Sequence, residues 1–139
     1  MEIHGRCHCG YLTFEGEADP DKAGICHCTD CQTSTGSAFR TNIPVSGASF
    51  KMLSGEPTIY VKTTADSGNP RAQAFCPTCG TPIYSTSPGP GPKQVYIVRT
   101  GTLRERSQLV PKVQSWARSA QDWTMTGLAG INRYEKGSM

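Results

Sequence analysis

Seven cysteines, none of them isolated, constrain this 139-residue chain more than any other feature. They stand at positions 7, 9, 26, 28, 31, 76 and 79, each in a close C-x-C or C-x-x-C group. Their number is odd, and neighbours this close are poorly placed for disulfides but well placed to hold one metal ion together. The stretch Cys26-His27-Cys28-Thr29-Asp30-Cys31 brings three sulfurs into six residues. In an extended C-x-C the two side chains share a face, because strand side chains alternate with period two. Thr29 and Asp30 are turn and N-cap formers, so a strand end running into one helical turn carries all three sulfurs to a common point. Three thiolates on one Zn²⁺ leave a fourth position unassigned. Structural zinc sites are closed by four protein ligands, whereas catalytic ones keep a position for water or substrate.

Cys76-Pro77-Thr78-Cys79-Gly80 reads as a zinc knuckle. Proline fixes the turn, and glycine after the second cysteine permits the positive φ that turns backbone N–H groups toward the sulfurs. A redox C-x-x-C is disfavoured, since no thioredoxin-like βαβ pattern surrounds it. A four-ligand site pairs two knuckles, and Cys7 with Cys9 is the complete pair that remains. His8, between them, points away from their metal if the backbone is extended.

Composition explains why such a chain needs metal. Apolar residues make up only 36%, with 15 Gly and 10 Pro, so the core of a loop-rich fold calls for an added staple. The length suits one domain spanning residues 1–139. The start, Met-Glu-Ile-His-Gly, has no basic segment followed by an apolar run, and the longest strongly apolar run is 95–98. The expectation is a cytoplasmic, reducing compartment where thiolates persist as ligands, with no membrane partner. Net charge is +3, and no basic tail is present, which argues against nucleic acid as a partner. Charge is unevenly spread: residues 1–31 carry six acids against Arg6 and Lys22, while residues 99–118 carry five basic residues against Glu105.

The pattern along the chain is that of a β-dominated domain. Strands are expected over 23–27, 37–43 (closed by Pro44) and 71–75, and a half-buried strand through Leu12 and Phe14. Two hairpins are expected. One joins 49–53 to 58–63 with Phe50, Met52, Ile59 and Val61 in the core, and the other joins 82–85 to 94–99 around the proline-rich loop 87–92. Gly36 stops the helical turn after Cys31. The segment from Val110-Pro111 is irregular, with a helical turn within 115–123. Phe39, Trp116, Trp123 and Tyr134 are expected in the core rather than on a pocket wall.

The order Gly5-x-Cys7-x-Cys9-Gly10, Cys26-His27-Cys28-x-x-Cys31, Thr35-Gly36-Ser37, Phe75-Cys76-x-x-Cys79-Gly80, Gly101-x-Leu103 and Pro111 to Trp123 resembles the glutathione-dependent formaldehyde-activating (GFA) family, which also includes centromere protein V. The resemblance implies a small fold of coiled antiparallel β-sheets with two zinc sites: Cys7, Cys9, Cys76 and Cys79 as a closed structural site, and Cys26, Cys28 and Cys31 as the open one where activity is placed. Three positions depart from the pattern. His27 stands where the formaldehyde enzyme has Gly, Gln32 where it has an aromatic, and Gln114 where much of the family has His.

Zn²⁺ with three thiolates is formally negative, so it suits a soft substrate thiol better than a hydrolytic water. Attack of such a thiolate on an aldehyde carbon, or the reverse release, makes the expected function a zinc-dependent carbon–sulfur lyase or synthase acting on a thiol adduct such as S-hydroxymethylglutathione. His27 and Asp30 are the candidates for proton transfer or ligand support, and Arg40 and Arg99 for a substrate carboxylate. The competing reading is a non-catalytic, zinc-stabilised binding module whose three-cysteine site is closed by His4, His8 or a partner.

Overall fold

Period-two alternation divides the strands of this protein between an apolar face and a polar one, and each face has its own use. The computed structural model describes residues 1–136. The strands are β1 (Glu2–Arg6), β2 (Thr13–Glu17), β3 (Gly24–Cys26), β4 (Arg40–Ser46), β5 (Lys51–Ser54), β6 (Thr58–Lys62), β7 (Arg71–Phe75), β8 (Pro82–Thr86), β9 (Val95–Arg99) and β10 (Val113–Ser115). The two short helices are α1 (Thr29–Thr35) and α2 (Asp122–Thr126). A three-stranded antiparallel sheet has the order β1-β2-β5, and a seven-stranded one the order β10-β3-β4-β9-β8-β7-β6. All its pairs are antiparallel except β10 on β3. The expected β-dominated architecture is therefore the observed one.

The core joins the apolar faces of the two sheets. Ile3, Leu12 and Phe14 come from the small sheet and its turn, and Ile43, Val45, Ala74, Ile83 and Val98 from the large one, all essentially without solvent exposure. Gly5 lies opposite Phe14 in register, and a Cβ there would stand 2.0 Å from the ring, so the β1–β2 pair closes only over glycine. Phe50 stacks on Tyr96 at a centroid distance of 4.2 Å and meets Tyr84 edge-on at 5.3 Å, filling the space where the sheets converge. The opposite face of the large sheet is polar: Arg40 and Asn42 on β4, Arg99 on β9 and Arg71 and Gln73 on β7 alternate with the core residues.

Several expectations from the sequence are corrected. Strands β5 and β6 are not a hairpin: β5 pairs with β2, setting Met52 opposite Phe14, and β6 pairs with β7 at the edge of the large sheet. Phe50 and Met52 therefore reach the core, whereas Ile59 and Val61 are about half exposed, each at 46%. Pro44 does not close β4 but lies inside it, opposite Ile97. Strand β3 pairs β4 only as far as Asn42, so proline sits on an edge its neighbour has already left. The segment after Pro111 holds the short strand β10, which has no alternating apolar pattern to announce it. Trp123 and Tyr134 are exposed rather than core. The hairpin β8–β9 and the helix stop at Gly36 (φ +65°) are as expected.

The contrast between the core and the edge strand is testable by urea denaturation of the metal-loaded protein. Ile83→Ala, fully buried, is expected to lose about 2–5 kcal/mol. Ile59→Ala on exposed β6 should change stability by less than about 0.5 kcal/mol.

Candidate metal centre

Two sulfur clusters form, one from each of the groupings seen in the sequence. The ligand atoms of Cys7, Cys9, Cys76 and Cys79 lie within 4.8 Å of one another, and so do those of Cys26, Cys28 and Cys31. In the first, Cys7 Sγ is 3.6 Å from Cys9 Sγ, which is 3.8 Å from Cys76 Sγ. These are far from a disulfide's S–S length of about 2.05 Å. They match the edge, about 3.8 Å, of a tetrahedron with metal–sulfur bonds of about 2.3 Å. Backbone N–H groups also aim at the sulfurs as at thiolate acceptors. Leu12 N donates to Cys7 Sγ at 3.2 Å, and Thr78 and Cys79 N donate to Cys76 Sγ at 3.4 and 3.5 Å. Both knuckles end on a glycine in the left-handed region, Gly10 at φ +86° and Gly80 at φ +75°, whose N–H returns to the carbonyl of Cys7 or Cys76. The four residues fit a closed metal site. It ties the β1–β2 turn of the small sheet to the β7–β8 turn of the large one. His8 is exposed and contributes only its N–H, to Thr81 Oγ1 at 3.0 Å.

The second cluster sits where β3 runs into α1. Cys28, not Thr29 or Asp30, is the N-cap: its sulfur accepts from Cys31 N at 3.3 Å. Using a thiol as the cap fixes Cys28 and Cys31 on one side of the first helical turn. Cys26 lies across from Arg40 in the β3–β4 register. Hydrogen bonding from the Cys31 thiol, helped by Cys28 and the nearby Arg40 charge, holds the Cys26 thiol down at about 5 against the effect of burial, while Cys31 is correspondingly raised. Among the described residues no His, Asp or Glu joins these three sulfurs as a fourth ligand. His4 bonds Glu105 instead, through Nδ1 at 2.7 Å.

The three sulfurs open onto a cavity of about 510 Å³, floored by the polar face of the large sheet. The side chains follow the register: Cys26 faces Arg40, Asn42 faces Arg99, and Ser85 lies between Ile97 and Gln73. Arg40 and Arg99, the two arginines singled out from the sequence, are both more than nine-tenths buried. Arg99 donates through Nη1 to Asn42 Oδ1 at 2.9 Å and to the Ile97 carbonyl at 3.3 Å, and through Nη2 to Gln73 Oε1 at 2.7 Å. The Nε atoms of Arg40 and Arg99 are buried with no hydrogen-bond partner. Among the described residues no carboxylate lies within ion-pair distance of either. Burial first, and then the like charge of Arg40, pushes the Arg99 guanidinium down to about 9, because neutral amides orient the charge without cancelling it.

Asp30 lines the same cavity and pairs with Lys62 at 3.3 Å. His27 does not line it. Alternation turns its ring to the other face, where Nε2 donates to Gln114 Oε1 at 2.8 Å and the ring meets Phe39 edge-on at 5.7 Å. The three departures from the family pattern thus lie together: Gln32 Nε2 donates to the carbonyls of His27 and Ser119 at 2.8 and 2.9 Å, and Gln121 donates to Gln32 Oε1 at 2.8 Å. This network clamps the C-terminal segment beside the cluster and brings Trp116 to the cavity wall. Sequence reasoning missed Asn42, Arg71, Gln73 and Ser85. For β7 the polar–apolar alternation of Arg71-Ala-Gln73-Ala was the available signal.

Comparison with known proteins agrees with this geometry. A family model described as glutathione-dependent formaldehyde-activating enzyme matches residues 2–119. The crystal structure of a Rhodobacter sphaeroides protein is similar in fold, with a TM-score of 0.56 and 22% identity, covering 75% of this chain and 88% of that one. No curated protein matches the chain.

The two clusters predict different losses. Cys76→Ser opens the closed site and is expected to abolish the near-UV circular dichroism of the fold. Cys28→Ser should keep that signal and lower bound metal by about one equivalent, read by mass spectrometry of the protein purified without chelator.

Proposed function

The chain belongs to the glutathione-dependent formaldehyde-activating family, and on that premise we propose that it is a zinc-dependent carbon–sulfur lyase or synthase acting on a thiol–aldehyde adduct, with glutathione or a related thiol as the sulfur partner. The supporting observation is a three-sulfur cluster, without a fourth protein ligand among the described residues, opening onto a cavity of buried guanidiniums that have no acid of their own. Cys26, Cys28 and Cys31 would hold zinc, which would supply a partner for a soft thiol donor and favour loss of the thiol proton.

The chain's own residues do the rest. Arg40 and Arg99 hold a substrate carboxylate, and Asn42 and Gln73 keep the Arg99 fork in place before the substrate arrives. In the forward direction the substrate sulfur bonds to the aldehyde carbon, the carbonyl π pair moves to oxygen, and that oxygen takes a proton; the lyase direction reverses each change. Asp30, which lines the cavity and stands between Cys28 and Cys31 in the chain, relays that proton. His27 acts from the opposite face as a positioning residue, holding the cysteine stretch against Gln114. The binding-module reading needs a fourth protein ligand, and the engagement of His4 with Glu105 and the placement of His8 beside the other cluster count against it.

The test is adduct formation and breakdown followed by NMR with formaldehyde and glutathione. Arg99→Met removes a charged hydrogen-bond donor worth roughly 1.5–3 kcal/mol and should raise KM about 10- to 100-fold with kcat little changed. Cys28→Ser should abolish turnover, and a variant with full zinc and full activity would sink the proposal.

A further inference from the structure

We propose that Arg71 and Arg99 form a two-guanidinium clamp for a terminal acid at the far end of the cavity, so that the site measures the length of the thiol acid it accepts. This extends the thiol-adduct reading of the same cavity and names a residue, Arg71, that the proposed reaction does not otherwise use.

The clamp follows from the register. Gln73 on β7 and Ser85 on β8 are directly paired and both line the cavity. Arg99 reaches toward this pair from β9, through its Nη2 bond of 2.7 Å to Gln73 Oε1. Arg71 reaches it from β7, with Nη2 3.5 Å from Ser85 Oγ. The two heads therefore converge above β8. Both are held by neutral groups, and among the described residues neither has a carboxylate at ion-pair distance, although Asp21 and Asp66 line the same cavity. Of the five N–H donors of Arg99, two on Nη1 and one on Nη2 are taken, leaving Nε–H and one Nη2–H. Arg71 has only the long contact to Ser85. Two like charges brought together with open donors repel each other, and an anion bound between them relieves that cost. A carboxylate, with its two oxygens and about four lone-pair sites, can take a guanidinium on each side.

The distance to the sulfurs sets the length. In the order β3-β4-β9-β8, neighbouring strands are about 4.8 Å apart, so the backbone of β8, beneath the contact of Arg71 with Ser85, stands roughly 14 Å from that of β3, whose end carries the cysteines. Arg40, opposite Cys26, is only one strand away. An acid two or three bonds from its sulfur reaches Arg40 and stops short of Arg71. Three extended residues span about 10–11 Å, so a peptide-sized thiol acid reaches the clamp.

A length ladder tests this without turnover. Binding of ω-mercaptoalkanoic acids with two, six and eleven carbons to the zinc-loaded protein is measured by titration calorimetry, each against its neutral ω-hydroxy thiol. The preference for acid over hydroxyl should grow about tenfold from the shortest to the longest. Arg71→Gln should remove that growth and leave the two-carbon acid unchanged. A preference independent of length, or an equal loss at every length in Arg71→Gln, would overturn the clamp. Repeating the ladder with S-methylated ligands separates the two proposals. If methylation costs nothing while the acid preference still depends on Arg71, the thiol reading fails and the clamp stands.

Discussion

The four-cysteine tie is the constraint on which the rest of the structure depends. It joins the turn that leaves β1 to the turn between β7 and β8, and so fixes the small sheet on the large one at the border of the core, which Cys7 and Cys76 join. A chain with only 36% apolar residues cannot close such a seam by packing alone. Once the seam is fixed, Phe14, Phe50, Tyr84 and Tyr96 fill the space beneath it, and the far face of the large sheet is released from any duty to the core.

That release makes the cavity possible. A strand has two faces, and in β4, β7 and β9 one face carries Ile43, Val45, Ala74 and Val98 into the core while the other carries Arg40, Asn42, Gln73 and Arg99. The same residues that give each strand its place in the fold therefore space the functional groups at the strand interval. The three-cysteine stretch enters this array at the end of β3, where the change from strand to helix bends its sulfurs over the polar floor. The cost is a group of buried charges oriented by amides and hydroxyls but left electrically uncompensated.

Both clusters were legible in the sequence because metal ligation imposes short, regular spacings that no packing requirement produces. The helix stop at Gly36 and the β8–β9 hairpin were legible for similar reasons, through glycine and proline chemistry. Strand partnership was not. Residues 49–53 and 58–63 look like a hairpin locally, yet β2 outbids β6 for β5 by placing Phe14 beside Met52, a gain visible only in three dimensions. The parallel pairing of β10 with β3 was hidden because three exposed residues carry no periodicity. Among the site residues, Arg40 and Arg99 were legible as candidates through the bidentate chemistry of guanidinium with carboxylate, whereas Asn42 and Ser85 became meaningful only when the register aligned them. His27 shows the limit of adjacency: it stands between two cysteines and faces the other way.

The amide network around Gln32 also sets how the cavity wall responds to its surroundings. Trp116, held at φ 55° with Arg118 over its ring, is kept in place by bonds among His27, Gln32, Gln114, Gln121 and the Ser119 carbonyl. None of these joins a cation to a carboxylate, so there is no counterion atmosphere for dissolved salt to compete with. The pair of Lys62 with Asp30, which also lines the cavity, is ionic. One part of the cavity lining is thus held by contacts indifferent to ionic strength, and another by a contact that dissolved salt screens.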